Sequence, residues 1–134
     1  MVHFEWKPEY SVNVKILDEQ HQKLIKTIDS LYQSILNSET KEYLLEVFKQ
    51  INEYTKDHFA LEEKYFKDFD YKEADIHTAV HEKFKKDILD METQINDEKF
   101  SSLKLLIFLE NWWINHILDM DKKYVENFNH HGLK

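Results

Sequence analysis

Seven side chains in this sequence carry groups that bind metal ions, and their spacing is regular. His58 and Glu62 stand four apart, as do His77 and His81; His116 and Asp121 stand five apart, and His21 lies upstream of them all. On a helix, a spacing of four puts both side chains on one face, which two ligands to one metal site require. A spacing of five turns through about 140° net at 3.6 residues per turn. That suits flanking a central site more than stacking against a single ion. Imidazole suits iron, copper, zinc and nickel, and a chain with no Cys offers no thiolate to favour the softer ions.

Helices must position these groups. Leu17, His21, Leu24, Ile25, Ile28, Leu31, Tyr32 and Ile35 recur three or four apart, the period of one helix face. The same period runs through Leu44, Val47, Phe48, Ile51, Tyr54, His58 and Glu62, then Ile76, His77, Val80, His81, Phe84 and Ile88, and finally Leu105, Leu109, Trp112, Trp113, His116, Ile117, Asp121 and Tyr124. Polar or aromatic breaks separate the runs at 37–40, 66–71 and 96–102, with Thr40 and Ser101 or Ser102 as candidate N-caps. The reading is an all-α, antiparallel up-down-up-down four-helix bundle, because short connections make successive helices antiparallel neighbours. The helices are expected at about 14–37, 41–65, 73–96 and 101–126, after an extended N-terminal arm over about 1–13 that carries Trp6, Pro8 and Tyr10. One domain covers 1–134.

Height along such a bundle is a second test of the seven groups. At a rise of about 1.5 Å per residue, measured from helix ends that coincide in an antiparallel bundle, all of them fall in one layer roughly 10 Å thick. A lone core histidine is ordinarily a hydrogen-bonded core residue. Five imidazoles with two carboxylates in one buried layer cannot satisfy one another cheaply, and a buried carboxylate without a cation is costly. Seven protein ligands exceed the needs of one ion, so two ions are implied, which carboxylates can bridge at about 3.5–4 Å. The residues themselves lead to a dinuclear site of five histidines and two carboxylates, with iron foremost among the candidate metals.

Composition excludes other chemistries. The 134 residues include one Gly and one Pro, near the two ends. A β-sandwich or a phosphate-cradling α/β fold needs glycine at its turns. Eighteen lysines against 26 acidic residues leave a net charge of -8, the wrong sign for nucleic acid or an anionic membrane. No run approaches the roughly 20 apolar residues of a membrane helix, and the N-terminus lacks the apolar stretch of a signal peptide. A soluble, cytoplasmic protein is expected. His3, His130 and His131 read as solvated tail residues.

The stretch Asp18-Glu19-Gln20-His21, then His58-x-x-x-Glu62, His77-x-x-x-His81 and His116-x-x-x-x-Asp121, resembles the signature of the hemerythrin family, and Trp6 with Tyr10-Ser11-Val12 resembles the entry arm of its bacterial members. The resemblance covers nearly the whole chain. It implies two iron ions joined by a bridging oxo or hydroxo group. His77, His81 and His116 would bind one iron, His21 and His58 the other, and Glu62 and Asp121 would bridge both. Such a set fills every octahedral position on the pair but one, on the two-histidine iron, which is left for O2 as ligand. Leu24, Ile25, Phe59, Trp112, Trp113 and Ile117 neighbour the ligands at helical spacing and would line a dry pocket there; an ordinary bundle-core role is compatible with the same positions. Trp113 stands where a smaller aliphatic residue is more familiar in the family, and Asn13 where glycine is. Tyr124 is expected to approach the site.

Reversible O2 binding for carriage, storage or delivery is therefore the leading expectation, with no catalytic residues, a monomer as the working state, and a protein that accepts the oxygen as the partner. A diiron enzyme scavenging peroxide or nitric oxide is the first alternative. The carboxylate-rich Glu-x-x-His pattern of catalytic diiron bundles is missing from this sequence. The second alternative is an O2- or redox-sensing module.

Overall fold

The computed structural model describes residues 5–37, 40–97 and 100–134. His3 and parts of the first and third breaks lie outside these. The first helix is Lys15–Leu36. The second runs as α-helix over Lys41–Tyr54, a wider π-helical turn over Thr55–Phe59, and α-helix again over Ala60–Asp68. The third is Ala74–Thr93. The fourth is α-helical over Ser102–Trp112, π-helical over Trp113–Met120, 3-10 over Asp121–Tyr124 and α-helical over Val125–His130. The first helix packs on the second and fourth, and the second packs on the third, giving a four-helix bundle.

Two ends run past the residues the periodicity suggested. The second helix continues to Asp68 and buries Phe66, and the fourth continues to His130 and buries Phe128. Both aromatics are nearly inaccessible, and burial of one such side chain is worth about 1.5–3 kcal/mol, enough to extend a helix by a turn. Ser101 caps the fourth helix by accepting from the Lys104 backbone N–H at 3.3 Å. Thr40 occupies the corresponding position before the second helix without a side-chain cap to the backbone. With glycine absent from the interior, Asn13 (φ 55°) and Asp70 (φ 50°) take the left-handed backbone positions. Asn and Asp are the residues that tolerate this region best after glycine.

The core is divided. A larger cluster gathers Leu24, Ile28, Leu31, Phe48, Ile51, Phe59, Phe84, Leu109, Trp113 and Ile117, among others. A smaller one gathers Val12, Val14, Leu17, Phe66, Tyr124 and Phe128. Every helix passes from one cluster to the other through a candidate ligand. His21 lies between Leu17 and Leu24, Glu62 between Phe59 and Phe66, His77 and His81 between Ala74 and Phe84, and Asp121 between Ile117 and Tyr124. The seven polar groups thus form a layer between two apolar bodies.

The arm is tied to that layer. The Ser11 hydroxyl donates to Asp18 at 2.5 Å and the Val12 N–H donates to the same carboxylate at 2.8 Å. Lys122, next to Asp121, donates to the Glu9 and Ser11 carbonyls at 2.7 Å each. Along the arm, Trp6 meets Tyr10 edge-on at 5.8 Å, and Tyr10 meets Trp113 at 5.4 Å.

Candidate metal centre

All seven side chains meet, and all are buried: no residue among them is more than 2% exposed. His81 Nε2 lies 3.0 Å from Glu62 Oε1, and His77 Nε2 and His116 Nε2 lie 2.9 and 3.1 Å from Asp121 Oδ1. On the opposite side, His21 Nε2 lies 3.1 Å from Asp121 Oδ2 and His58 Nε2 3.4 Å from Glu62 Oε2. Each carboxylate therefore turns one oxygen toward two of His77, His81 and His116 and the other toward His21 or His58. Two groups of four potential ligands result, Glu62 with His77, His81 and His116, and His21 with His58, Glu62 and Asp121.

These contacts are poor hydrogen bonds and good coordination shells. His81 Nε2, Glu62 Oε1 and both Asp121 oxygens are buried without a hydrogen-bond partner despite the short distances. His21 and His58 face each other Nε2 to Nε2 at 3.0 Å, as do His77 and His116. Two neutral imidazole nitrogens that close need a proton or a cation between them. The residues present fit bound cations.

The fourth helix corrects the reading of its own spacing. On a uniform α-helix, His116 and Asp121 would diverge by about 140°. The π-helical turn Trp113–Met120 bonds i to i+5, so residues five apart return to one face, and the two side chains lie 3.1 Å apart. The π turn in the second helix likewise contains His58.

Comparison with known proteins agrees with this centre. The model of the hemerythrin HHE cation binding domain matches residues 12–127. The chain belongs to the hemerythrin family. Bacteriohemerythrin of Pseudomonas aeruginosa is 26% identical over 97% of this chain and 84% of its own length. Myohemerythrin of Theromyzon tessulatum is 30% identical over 90% of each chain. The crystal structure of a leucine-to-tyrosine hemerythrin mutant superposes with a TM-score of 0.84 at 23% identity, covering 94% of this chain and 97% of that one, which supports the fold. As a hemerythrin with a buried donor set rich in imidazole, the chain suits non-haem iron.

The rest of this hemerythrin site is arranged around the ligands. Phe59 stacks on His81 at 3.8 Å and Trp112 on His116 at 3.8 Å, both nearly parallel, while Trp113 meets His21 edge-on at 6.1 Å. Leu24, Ile25 and Ile117 belong to the same buried cluster. The Tyr124 hydroxyl donates to Glu62 Oε2 at 2.5 Å, where it was expected. Burial pushes the Glu62 carboxyl up, as does the charge of Asp121, but His58 and His81 outweigh both and hold it below the usual carboxylate range. Burial likewise opposes the ionised form of Asp121, and His116, His21 and His77 together hold it well below its ordinary value. Burial lowers the His116 imidazole; in His77 the same burial is overcome by the Asp121 carboxylate beside it, and the imidazole is raised.

Three contributors were given no role at the site from sequence. His58 Nδ1 pairs with Gln20 Oε1 at 2.7 Å and His81 Nδ1 with Glu63 Oε2 at 2.9 Å. Each partner adjoins a ligand in the chain, Gln20 before His21 and Glu63 after Glu62, and that adjacency was the available signal. The Tyr54 ring stacks on His58 at 4.9 Å, four residues before it, where periodicity alone marks only a core position. Burial first, then the charges of Asp121 and Glu62, push the Tyr54 phenol well above its ordinary range, against an opposing pull from Trp112.

Proposed function

We propose that this chain holds two non-haem iron ions in the layer between its two cores and binds O2 reversibly, for carriage, storage or delivery. His77, His81 and His116 hold one iron, and His21 and His58 hold the other. Glu62 and Asp121 would hold both ions, whose remaining bridge would come from solvent as an oxo or hydroxo group. The observation that carries this reading is the division of each carboxylate, with one oxygen turned to the three-histidine group and one to the two-histidine group. With one histidine fewer, the group of His21 and His58 would hold its ion with a position to spare, and that ion would supply the site for O2. Two ferrous ions supply the two electrons that O2 binding draws on.

The chain's own residues do the rest. Leu24, Phe59, Trp112, Trp113 and Ile117 exclude water from the binding pocket, and exclusion of water suppresses proton leakage to the bound ligand. Gln20 and Glu63 fix the ring orientation of His58 and His81 through their outward nitrogens. Tyr124 holds Glu62 by its second oxygen. Among the described residues no helix is long and apolar enough to cross a membrane. The protein acts as a cytoplasmic monomer that hands its oxygen to another protein.

Reduced under argon, the purified iron-loaded protein should bind O2 with a change in its visible absorption and return to the starting spectrum under vacuum for many cycles. Irreversible bleaching to the diferric form within one or two cycles would refute carriage.

A further inference from the structure

The N-terminal arm reaches the two-histidine group through three aromatic rings in series. Trp6 meets Tyr10 at 5.8 Å and 77° between ring planes, Tyr10 meets Trp113 at 5.4 Å and 80°, and Trp113 meets His21 at 6.1 Å and 83°. These are centroid separations of edge-on pairs, so the nearest atoms of successive rings are closer still. The outer end meets solvent: Trp6 is half-buried and borders a surface cavity of about 580 Å³ with Gln22, Ile25 and Lys26. The inner end is sealed, since neither Trp113 nor His21 is more than 2% exposed. The Ser11 and Val12 bonds to Asp18 and the Lys122 bonds to the arm's carbonyls hold the rings at this spacing.

Packing alone does not account for the types of ring. Phe59 and Phe84 show that phenylalanine fills places in the same core. Trp113 instead buries an indole N–H that has no hydrogen-bond partner, an arrangement that costs stability. A cation in the layer cannot offset that cost, because the indole nitrogen is a donor only. Tryptophan and tyrosine differ from phenylalanine in one further respect: they give up an electron at potentials that biological oxidants reach. The three-histidine group is surrounded differently. The ring stacked on His81 is Phe59, and the rings that Trp112 meets beyond the ligands are Phe59 and Phe84. Tyr124, beside His77, commits its hydroxyl to Glu62.

We propose that Trp113, Tyr10 and Trp6 form a one-electron relay that carries oxidising equivalents from the two-histidine side of the metal centre to the surface. The inference rests on the metal pocket described under the proposed function and adds to it a route that protects the pocket. Peroxide, the two-electron-reduced form of O2, is the oxidant such a pocket meets when protons leak into it. In becoming two waters, a peroxide takes up two electrons and two protons. Each electron drawn from the layer is replaced by one that passes inward, from Trp113 toward His21, from Tyr10 to Trp113 and from Trp6 to Tyr10. Tyr10 releases its phenolic proton as it loses the electron and recovers one as it is refilled. At the surface a small phenol gives an electron to Trp6 and a proton to solvent, so two phenols become two phenoxyl radicals for each peroxide reduced. His21 and the pocket rings are spared the oxidation.

Oxidation products mapped by mass spectrometry test the relay. Iron-loaded wild type, Tyr10→Phe and Trp6→Phe, at equal metal content, are treated with hydrogen peroxide in the absence of any phenol and then digested. In wild type, added oxygen should be found on Trp6. In Tyr10→Phe, which keeps the ring and its packing, that mark should be lost from Trp6 and appear on Trp113. In Trp6→Phe the charge should stop one ring short, as a tyrosyl radical seen by electron paramagnetic resonance and missing when Tyr10→Phe is added. Metal-free wild type should leave Trp6 unmarked. An unmarked Trp6 in loaded wild type overturns the proposal, as does equal marking in Tyr10→Phe or in metal-free protein. O2 binding is followed on the same samples. Irreversible bleaching with a Trp6 mark that still depends on Tyr10 removes the carrier reading alone; reversible binding with a mark that ignores Tyr10 removes this inference alone.

Discussion

The two halves of the donor cluster are backed by different groups. Behind the three-histidine half stands a carboxylate, Glu63, on His81, and two aromatic faces cover it, Phe59 on His81 and Trp112 on His116. Behind the two-histidine half stands a neutral amide, Gln20, on His58, with Tyr54 stacked on His58 and Trp113 edge-on to His21. A carboxylate hydrogen-bonded to the outer nitrogen of an imidazole raises its basicity as a ligand; an amide does so less. Both the number of histidines and the charge behind them thus favour higher positive charge on the three-histidine side. The asymmetry is built from residues next to the ligands as much as from the ligands.

The comparison can be broken most completely at the groups the halves share. On the proposed bridging assignment Glu62→Ala or Asp121→Ala would remove a bond to each ion, and metal content after purification should fall to background by elemental analysis. Alanine at His77, His81 or His116 removes one bond from the better-supplied half and should leave measurable metal. Wild-type metal content in both carboxylate variants would refute the bridging assignment. A smaller effect tests the backing groups. Glu63→Gln should weaken metal retention by about 10–100-fold against a competing chelator, and Gln20→Glu should move it the other way. Equal changes of one sign in both would mean that the outward hydrogen bonds merely hold the rings still. The smallest effect concerns space. Trp113→Leu should cost about 2 kcal/mol in urea unfolding of metal-free protein and speed O2 release. Unaltered release would mean that the indole does not bound the pocket.

How much of this was legible beforehand depended on what the helical period could carry. The bundle and the meeting of the seven groups were legible because side chains three and four apart share a face, and because antiparallel helices of similar length align their ends. The His116–Asp121 contact was misjudged in angle, since hydropathy does not reveal a π turn. Gln20 and Glu63 were hidden for another reason. They are polar residues on the shoulders of their helices, and whether such a residue is solvated or holds a buried histidine is decided by the neighbouring helix. Tyr54 has the opposite disguise: its ring satisfies the apolar pattern, so its stacking on His58 shows only in three dimensions. The far ends of the second and fourth helices depended on Phe66 and Phe128 finding each other across the bundle, a distant contact in sequence.

The widened turns at His58 and His116 mean that two of the four rods are phased twice. On one side of each turn the backbone is in step with the larger hydrocarbon body, and on the other with the smaller, and a single surplus residue makes up the angular difference. Deleting Lys56 or Asn115, both exposed and outside the proposed ligand set, would keep every proposed ligand in the chain yet swing one end of its rod by about 100° against the other. Chain length within those turns is therefore under the same constraint as the identity of the histidines.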